Sequence, residues 1–341
     1  INYKIMKKYL YLLSAGIISL AACDKTVNMT EKGPVQRTTV SIRIAGAMTR
    51  ATEQTSEEAA VNTVQVLVFR DGGIETYASA SGTNEVVLST TAGSHSVYAV
   101  VNAPSLAGIE QETALKATLS SLSDNSASNF VMAGHENLVF NATNPVPFPI
   151  HIERLAIRVE IDRIVNNLSK SVLASKEFKI NKIFLANVNT NDYLIDDYTP
   201  VSEDFVHHTG ALLTTDGFLY RNISGSPIAK GTDPSDGYNT AHTFYGYQNP
   251  QGLYSTLLVV EVMIGDKYYT YPLELGAGAL LSNRIYRISE LQITRLGNDS
   301  NGDDTIDDGE IDPITVASAT VEVIVDDWTV VLVNGDGKVV M

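Results

Sequence analysis

Past Val35 the chain alternates apolar and polar residues in short runs: "TTVSIRI" (38–44), "VQVLVF" (64–69), "EVVLST" (85–90) and "HSVYAVVN" (95–102). Runs of period two, rich in β-branched and aromatic residues, predict strands with one buried face. In the first run this alternation sets Val40, Ile42 and Ile44 on one side. The clusters "RDGG" (70–73) and "TTAG" (90–93) supply the turns between runs. Residues 108–124 break the pattern, because Leu115, Leu119 and Leu122 have the spacing of a short amphipathic helix beside a sandwich.

Three prolines open "NPVPFPIHIERLAIRVEIDRI" (144–164), and prolines belong at strand edges and crossovers, so a domain junction is expected near Arg154. Strand patterns resume at 178–188, 242–249, 255–265, 267–275 and 284–296, after a polar, glycine-rich connection over 189–236. Gly265-Asp266 between two strand runs marks a hairpin. An acidic loop (298–313) precedes "ATVEVIVDDWTVVLV" (319–333), and "NGDGK" (334–338) turns the chain into a last short strand. Many short strands with little helix predict an all-β chain of two β-sandwich (transthyretin-like, Greek-key) domains in tandem, with a short helix in the first. The expected boundaries are 51–153 and 154–328, and Trp328, the only tryptophan, is expected to plug the second core.

The N-terminal stretch changes the picture of where such a protein works. Met6 as the start, Lys7 and Lys8, and an apolar run over 9–22 have the layout of a signal peptide; residues 1–5 are given no function. The run falls short of the roughly 20 apolar residues that span a bilayer. Leu20-Ala21-Ala22-Cys23 resembles a bacterial lipobox, which makes the chain's single cysteine a lipid-anchor site and leaves no disulfide framework. A net charge of −15, from 24 Lys and Arg against 39 Asp and Glu, argues against nucleic-acid partners, which need clustered basic residues.

Together the lipobox, "GSHSVYAVVNAP" (93–104), "IERLAIRVEI" (152–161), "TFYGYQNP" (243–250), "NRIYRISELQI" (283–293) and "VEVIVDDWTVV" (321–331) resemble the Bacteroidales fimbrillins, subunits of type V pili, and their shaft branch in particular. That resemblance implies a two-domain β-sandwich lipoprotein precursor, bound for the outer membrane and ending in surface fimbriae that support adhesion. It also implies an arginine-specific surface protease that removes an N-terminal segment, and other pilus subunits as partners. The matching cut lies between Arg50 and Ala51, so that 23–50 is a lipidated propeptide with a removable strand; Arg37, Arg43 and Arg70 compete as cut sites. The membrane is met only through the precursor's lipid.

The replacement strand must be apolar, alternating and free to leave its domain. Residues 329–341 qualify, through Val330, Val331, Leu332, Val333, Val339 and Val340; the competing reading makes them the last hairpin of their own domain. Under that second reading the protein is a terminal subunit that accepts a strand and donates none.

Candidate chemistry is sparse. In the loop 298–312, Asp299, Asn301, Asp303, Thr305, Asp307 and Glu310 follow the spacing of a calcium loop, with Asp304 where glycine is usual and strands where helices are usual. A solvated acidic loop is the alternative, and otherwise no cofactor is expected. The six histidines are scattered: His207-His208 sit side by side and "GHEN" (134–137) lacks the second histidine of a zinc motif. No nucleophile elbow or phosphate loop occurs, so no enzyme is expected. The aromatic groups "TFYGYQ" and "KYYTY" read as strand packing ahead of sugar platforms. An unprocessed, glycan-binding surface lipoprotein is the alternative from a different functional class.

Overall fold

The computed structural model describes residues 36–45, 57–58, 60–195, 205–206, 210–211, 218–231, 236–249, 254–275, 280–312, 318–319, 322–325, 329–331 and 338–340. In chain order the first strands are β1 (Arg37–Ala45), β2 (Thr63–Arg70), β3 (Gly73–Ser81), β4 (Glu85–Thr91), β5 (Gly93–Val101), β6 (Leu119–Ser121), β7 (Met132–Phe140), β8 (Phe148–His151) and β9 (Glu153–Arg154). There follow β10 (Ala156–Ile161), β11 (Ile164–Asn166), β12 (Phe178–Ala186), β13 (Val188–Asn189), β14 (Asn191–Tyr193), β15 (Phe205–Val206), β16 (Gly210–Ala211), β17 (Tyr220–Asn222) and β18 (His242–Tyr247). The chain continues through β19 (Leu257–Ile264), β20 (Lys267–Glu274), β21 (Ile285–Ile288), β22 (Glu290–Ile293), β23 (Asn298–Ser300), β24 (Thr305–Ile306), β25 (Ser318–Ala319), β26 (Glu322–Val325), β27 (Thr329–Val331) and β28 (Lys338–Val340). The all-β expectation holds, and the helix of the first half is α1 (Glu112–Lys116).

A three-stranded sheet β4-β1-β8 faces a five-stranded sheet β3-β2-β5-β7-β9. Between them lies a small core in which Val40, Ile42 and Ile44 of β1 meet Val64, Val66 and Val68 of β2, Val97 and Val101 of β5, and Phe140 and Ile150. β2 is buried on both faces, because Leu67 and Phe69 point the other way, into a second core with Leu106, Leu115 and Phe130. That second core is continuous with the C-terminal half, taking in Ile157, Val159, Phe178, Leu258, Val260 and Tyr286. The C-terminal half is built on the sheets β18-β10-β21-β26-β27, β17-β12-β19-β20-β23 and β11-β22-β28-β25.

Turn chemistry sets the hairpins. Asp71 and Gly72 take φ of 52° and 81° between the paired Arg70 and Gly73, the two left-handed positions of a type I′ turn. Gly265, at φ 70°, opens the predicted two-residue loop between Ile264 and Lys267.

Some elements depart from the sequence reading. The helix expected over 108–124 stops at Lys116, and Leu119 is exposed on β6, because Leu119–Ser121 pair instead with β14 of the C-terminal half. Residues 284–296, expected as one strand, split at Ser289 into β21 and β22, which join different sheets. The polar connection 189–236 contains β14, and β17 pairs with β12.

Candidate functional site

β1 is the middle strand of its sheet. β4 runs antiparallel along one side, from Arg37↔Thr91 to Arg43↔Glu85, while β8 runs parallel along the other, from Ile42↔Phe148 to Ala45↔His151. Among the described residues, β4 and β8 have no other bonded neighbour in that sheet, so each depends on β1 to satisfy its inner edge. The alternation read from the sequence is the one observed: Thr38, Val40, Ile42 and Ile44 are buried, Ile42 completely, and Arg37, Thr39 and Arg43 are exposed. Burying each aliphatic side chain is worth roughly 1.5–3 kcal/mol.

Polar contacts fix the register at three points. At the C-terminal end of β1, Ser41 Oγ donates to Glu85 Oε1, and Arg43 lies 2.8 Å from Glu85 Oε2. The hydrogen bond from Ser41, then that from Arg43, holds the Glu85 carboxyl below the usual carboxylate range. At the other end the buried Thr38 hydroxyl donates to the Ala142 carbonyl (3.2 Å) and accepts from Asn144 Nδ2 (2.9 Å). Thr91, opposite Arg37, is pinned by its N–H to Glu75 Oε1 (2.8 Å) and by Arg70 to its hydroxyl (2.6 Å). His95 lies 2.7 Å from Glu75 and stacks on Phe140. Burial pushes the Glu75 carboxyl up, but hydrogen bonds from Thr91 and His95 outweigh it and hold it below its ordinary value.

Cys23, Arg50 and Ala51 lie outside the described residues, as do His207, His208 and Trp328. Of the competing arginines, Arg37 and Arg43 belong to β1 and Arg70 ends β2. Directly downstream the chain is fastened by a residue that the sequence reading passed over. Glu58 is 2 % exposed, takes Arg158 Nη1 at 3.0 Å and the Tyr245 hydroxyl at 2.7 Å, and its carbonyl accepts from Arg154 Nη2 at 3.1 Å. Arg158 also pairs with Glu160, which takes Arg287 Nε at 2.6 Å. Burial, then the hydrogen bond to Glu58, pushes the Tyr245 hydroxyl up. Two residues on, the chain is clamped at Ala60 by Asn102, which adopts φ 60°: its Nδ2 donates to Ala60 O (2.8 Å) and its Oδ1 accepts from Asn62 N (2.9 Å).

The predicted aromatic groups are packing residues. Phe244, Tyr247 and Tyr271 are buried, and the Tyr247 hydroxyl meets Ser120 Oγ (2.7 Å) and Asn125 Nδ2 (2.8 Å), tying β18 to the segment after α1. His135 of "GHEN" stacks on Tyr98, and the motif lies on β7.

The C-terminal candidates divide between two environments. Val330 and Val331 lie on β27, paired with Ile324 and Val323 at the outside of their sheet, whereas Val339 and Val340 lie on β28, held between β22 and β25. Leu332 and Val333 are outside the described residues.

In the acidic loop, Asp299 lies on β23 and pairs with Tyr269 of β20, Asn301 Oδ1 accepts from Asp303 N, and Asp303 Oδ1 accepts from Thr305 N (2.7 Å). Glu310 is buried and takes the N–H groups of Asn301 (3.2 Å) and Asp307 (3.0 Å). The buried Lys182 ammonium reaches the loop from β12: it donates to Asp303 O and lies 3.6 Å from Glu261 of β19 and 4.0 Å from Asp304. Among the described residues no group of three or more His, Cys, Asp or Glu is placed to hold a metal ion.

Comparison with known proteins follows the same outline. Residues 38–146 match the family model described as major fimbrial subunit protein (FimA). No curated protein matches the chain. Among solved structures, a proposed cell adhesion protein of Bacteroides eggerthii aligns with a TM-score of 0.59 at 17% identity, covering 90% of this chain and 98% of that one. A proposed cell adhesion protein of Parabacteroides distasonis gives 0.57 at 16%, covering 82% and 92%. A fimbrilin of Porphyromonas gingivalis gives 0.56 at 14%, covering 78% and 92%. At such identities the structures speak for the fold, and the family match covers β1 and β4 of one sheet and β2, β3, β5 and β7 of the facing one. The resemblance to the fimbrillins is therefore borne out, by family pattern over residues 38–146 and by fold over most of the chain.

Proposed function

We propose that this chain is a structural subunit of a cell-surface fimbrium, polymerised by exchanging β1 for a strand of a like subunit. In this reading it is exported as a lipoprotein through Cys23 and cut between Arg50 and Ala51 by an arginine-specific protease. It then joins other subunits in fimbriae that support adhesion. The observation that carries the proposal is the place of β1: a middle strand, buried along one face, separated from the rest of the sandwich by the stretch that holds Arg50. Loss of such a strand leaves two unpaired edges above an apolar floor, a template for strand addition. Head-to-tail insertion does not close on itself, so it builds a filament.

The C-terminal residues Val330, Val331, Leu332, Val333, Val339 and Val340 are the proposed donor set. The buried Glu58 supports this order of events, because it fastens the chain downstream of the cut before β1 leaves. The role is structural, and no catalysis is assigned.

Mass spectrometry of the sheared surface fraction tests the proposal. A subunit starting at Ala51 and running in ladders supports it; a chain starting at acylated Cys23 points to an anchored, unprocessed lipoprotein. A second reading, a tip subunit, is favoured by the seat of β28 between two strands, which keeps that part of the tail at home. Trimmed chain that polymerises alone excludes the tip reading; chain that only joins another subunit supports it.

A further inference from the structure

Resting on the strand-exchange reading above, the slot must survive an interval in which β1 has left and no other strand has arrived. Two strand spacings, about 9–10 Å, then separate β4 from β8. β1 runs antiparallel to β4 and parallel to β8, so the two walls are antiparallel to each other. Direct pairing between them satisfies both bare edges and abolishes the acceptor. We infer that a clasp of Arg70, Glu75 and Thr76 holds β4 to the facing sheet and keeps the empty slot from closing on itself.

The clasp grips the edge of β4 that β1 does not use. The bonds from Ile44 N to Asn84 O and from Ala92 N to Gln36 O turn the even-numbered residues of β4 toward β1, so Ser89 and Thr91 present their backbone groups to the other side. There Thr76 Oγ1 donates to Ser89 O (2.8 Å), and Thr91 N donates to Glu75 Oε1 (2.8 Å). Arg70 donates to the Thr91 hydroxyl (2.6 Å) and to Ala92 O (2.8 Å). Gly93 makes room for this approach, since a side chain on it would strike the Arg70 guanidinium. Glu75 is held in turn by the buried His95 of β5, 2.7 Å away. The grip thus comes from β2, β3 and β5, and none of these bonds leaves with β1.

The two walls are tied down differently. β8 runs into the facing sheet, because only Ile152 separates it from β9, and β9 pairs with β7. β4 is joined to β3 by the short turn 82–84, at its Glu85 end. The clasp sits at the other end, from Ser89 to Ala92, where a strand fastened at one end swings most. A shift of one strand spacing toward β8, about 4.8 Å, breaks every bond of the clasp.

A synthetic peptide with the sequence of Arg37–Ala45, the strand this structure seats in the slot, tests the clasp on subunit trimmed with an arginine-specific protease. Spin labels at V87C and H151C, exposed positions on β4 and β8, report the width of the slot, and Cys23, the one native cysteine, lies ahead of the cut. Wild-type trimmed subunit gives the same distance with and without peptide. T76V, which keeps the shape and removes one bond, weakens peptide binding about threefold. E75A weakens it about tenfold and shortens the empty-slot distance by about 4.8 Å, and E75Q, whose amide oxygen still accepts from Thr91 N, restores most of both. Saturating peptide returns each variant to the wild-type distance, which separates a role in keeping the slot open from a general loss of structure. A wild-type slot that narrows when empty, or variants with wild-type distance and affinity, overturns the clasp and leaves strand exchange standing. Wild-type trimmed subunit that never takes the peptide overturns both.

Discussion

The molecule holds two cores of different kinds. The small one, between β1 and the five-stranded sheet, is completed by Val40, Ile42 and Ile44, which come from ahead of the proposed cut. The large one runs from Leu67 and Tyr98 through Phe130 into β10, β12 and β19, and every residue in it follows that cut. Cleavage therefore strips one core and leaves the other whole. The difference teaches how a precursor can be both closed and ready to open: the part to be lost is confined to one layer, and the layer beneath it is anchored elsewhere.

The largest effect expected from breaking this comparison is on trimming itself. Losing three buried aliphatic side chains, at roughly 1.5–3 kcal/mol each, lowers the stability of the first sandwich far more than that of the second. Denaturant unfolding then shows an early step in the trimmed monomer that the precursor lacks. Next, Ile42→Ala costs the precursor about 2–5 kcal/mol and leaves trimmed chain unchanged, whereas Leu258→Ala in the shared core costs a similar amount in both. Glu58→Ala, which removes the buried carboxylate that pairs with Arg158 and takes the Tyr245 hydroxyl, costs about 3 kcal/mol before and after trimming. Chemical denaturation of the four chains checks each of these.

The smallest effect is electrostatic and separates two carboxylates. Glu85 and Glu75 are both held below their ordinary value in the folded chain, so each contributes stability above the ordinary carboxylate range, lost as pH falls through the folded value. The partners of Glu85 are on β1, and those of Glu75 are Thr91 and His95. On trimming, Glu85 rises toward its ordinary value and Glu75 stays low, as carboxyl NMR titration reads out. A Glu85 that titrates identically in both forms breaks the link between its shift and β1.

How much of this the sequence showed depends on how local the signal is. β1 was legible residue by residue, because period-two alternation maps directly onto one buried face. β3 was not: "GIETYASAS" has no apolar alternation, and it lies at the edge of its sheet, half-buried along most of its length. Leu119 had helical spacing but pairs across to Tyr193, a tertiary contact that overrides local preference. Glu58 sits in a polar run that gives no cue, since its partners Arg158 and Tyr245 are distant in sequence. The acidic loop's calcium-like spacing is visible in the sequence, whereas the approach of Lys182 on β12 to the Asp303 carbonyl needed the fold. The sequence marks Thr38 as a strand residue, and its hydroxyl contacts with Ala142 and Asn144 needed the fold to bring them together.

Hydrogen exchange of the β4 and β8 backbone in precursor, trimmed monomer and polymer tests the central claim most directly, because those amides follow the occupancy of the slot. The account predicts slow exchange in the precursor, fast exchange after trimming and slow exchange again in the polymer, with β12 and β19 protected throughout. Protection of β4 and β8 that survives trimming, or that fails to return in the polymer, contradicts it.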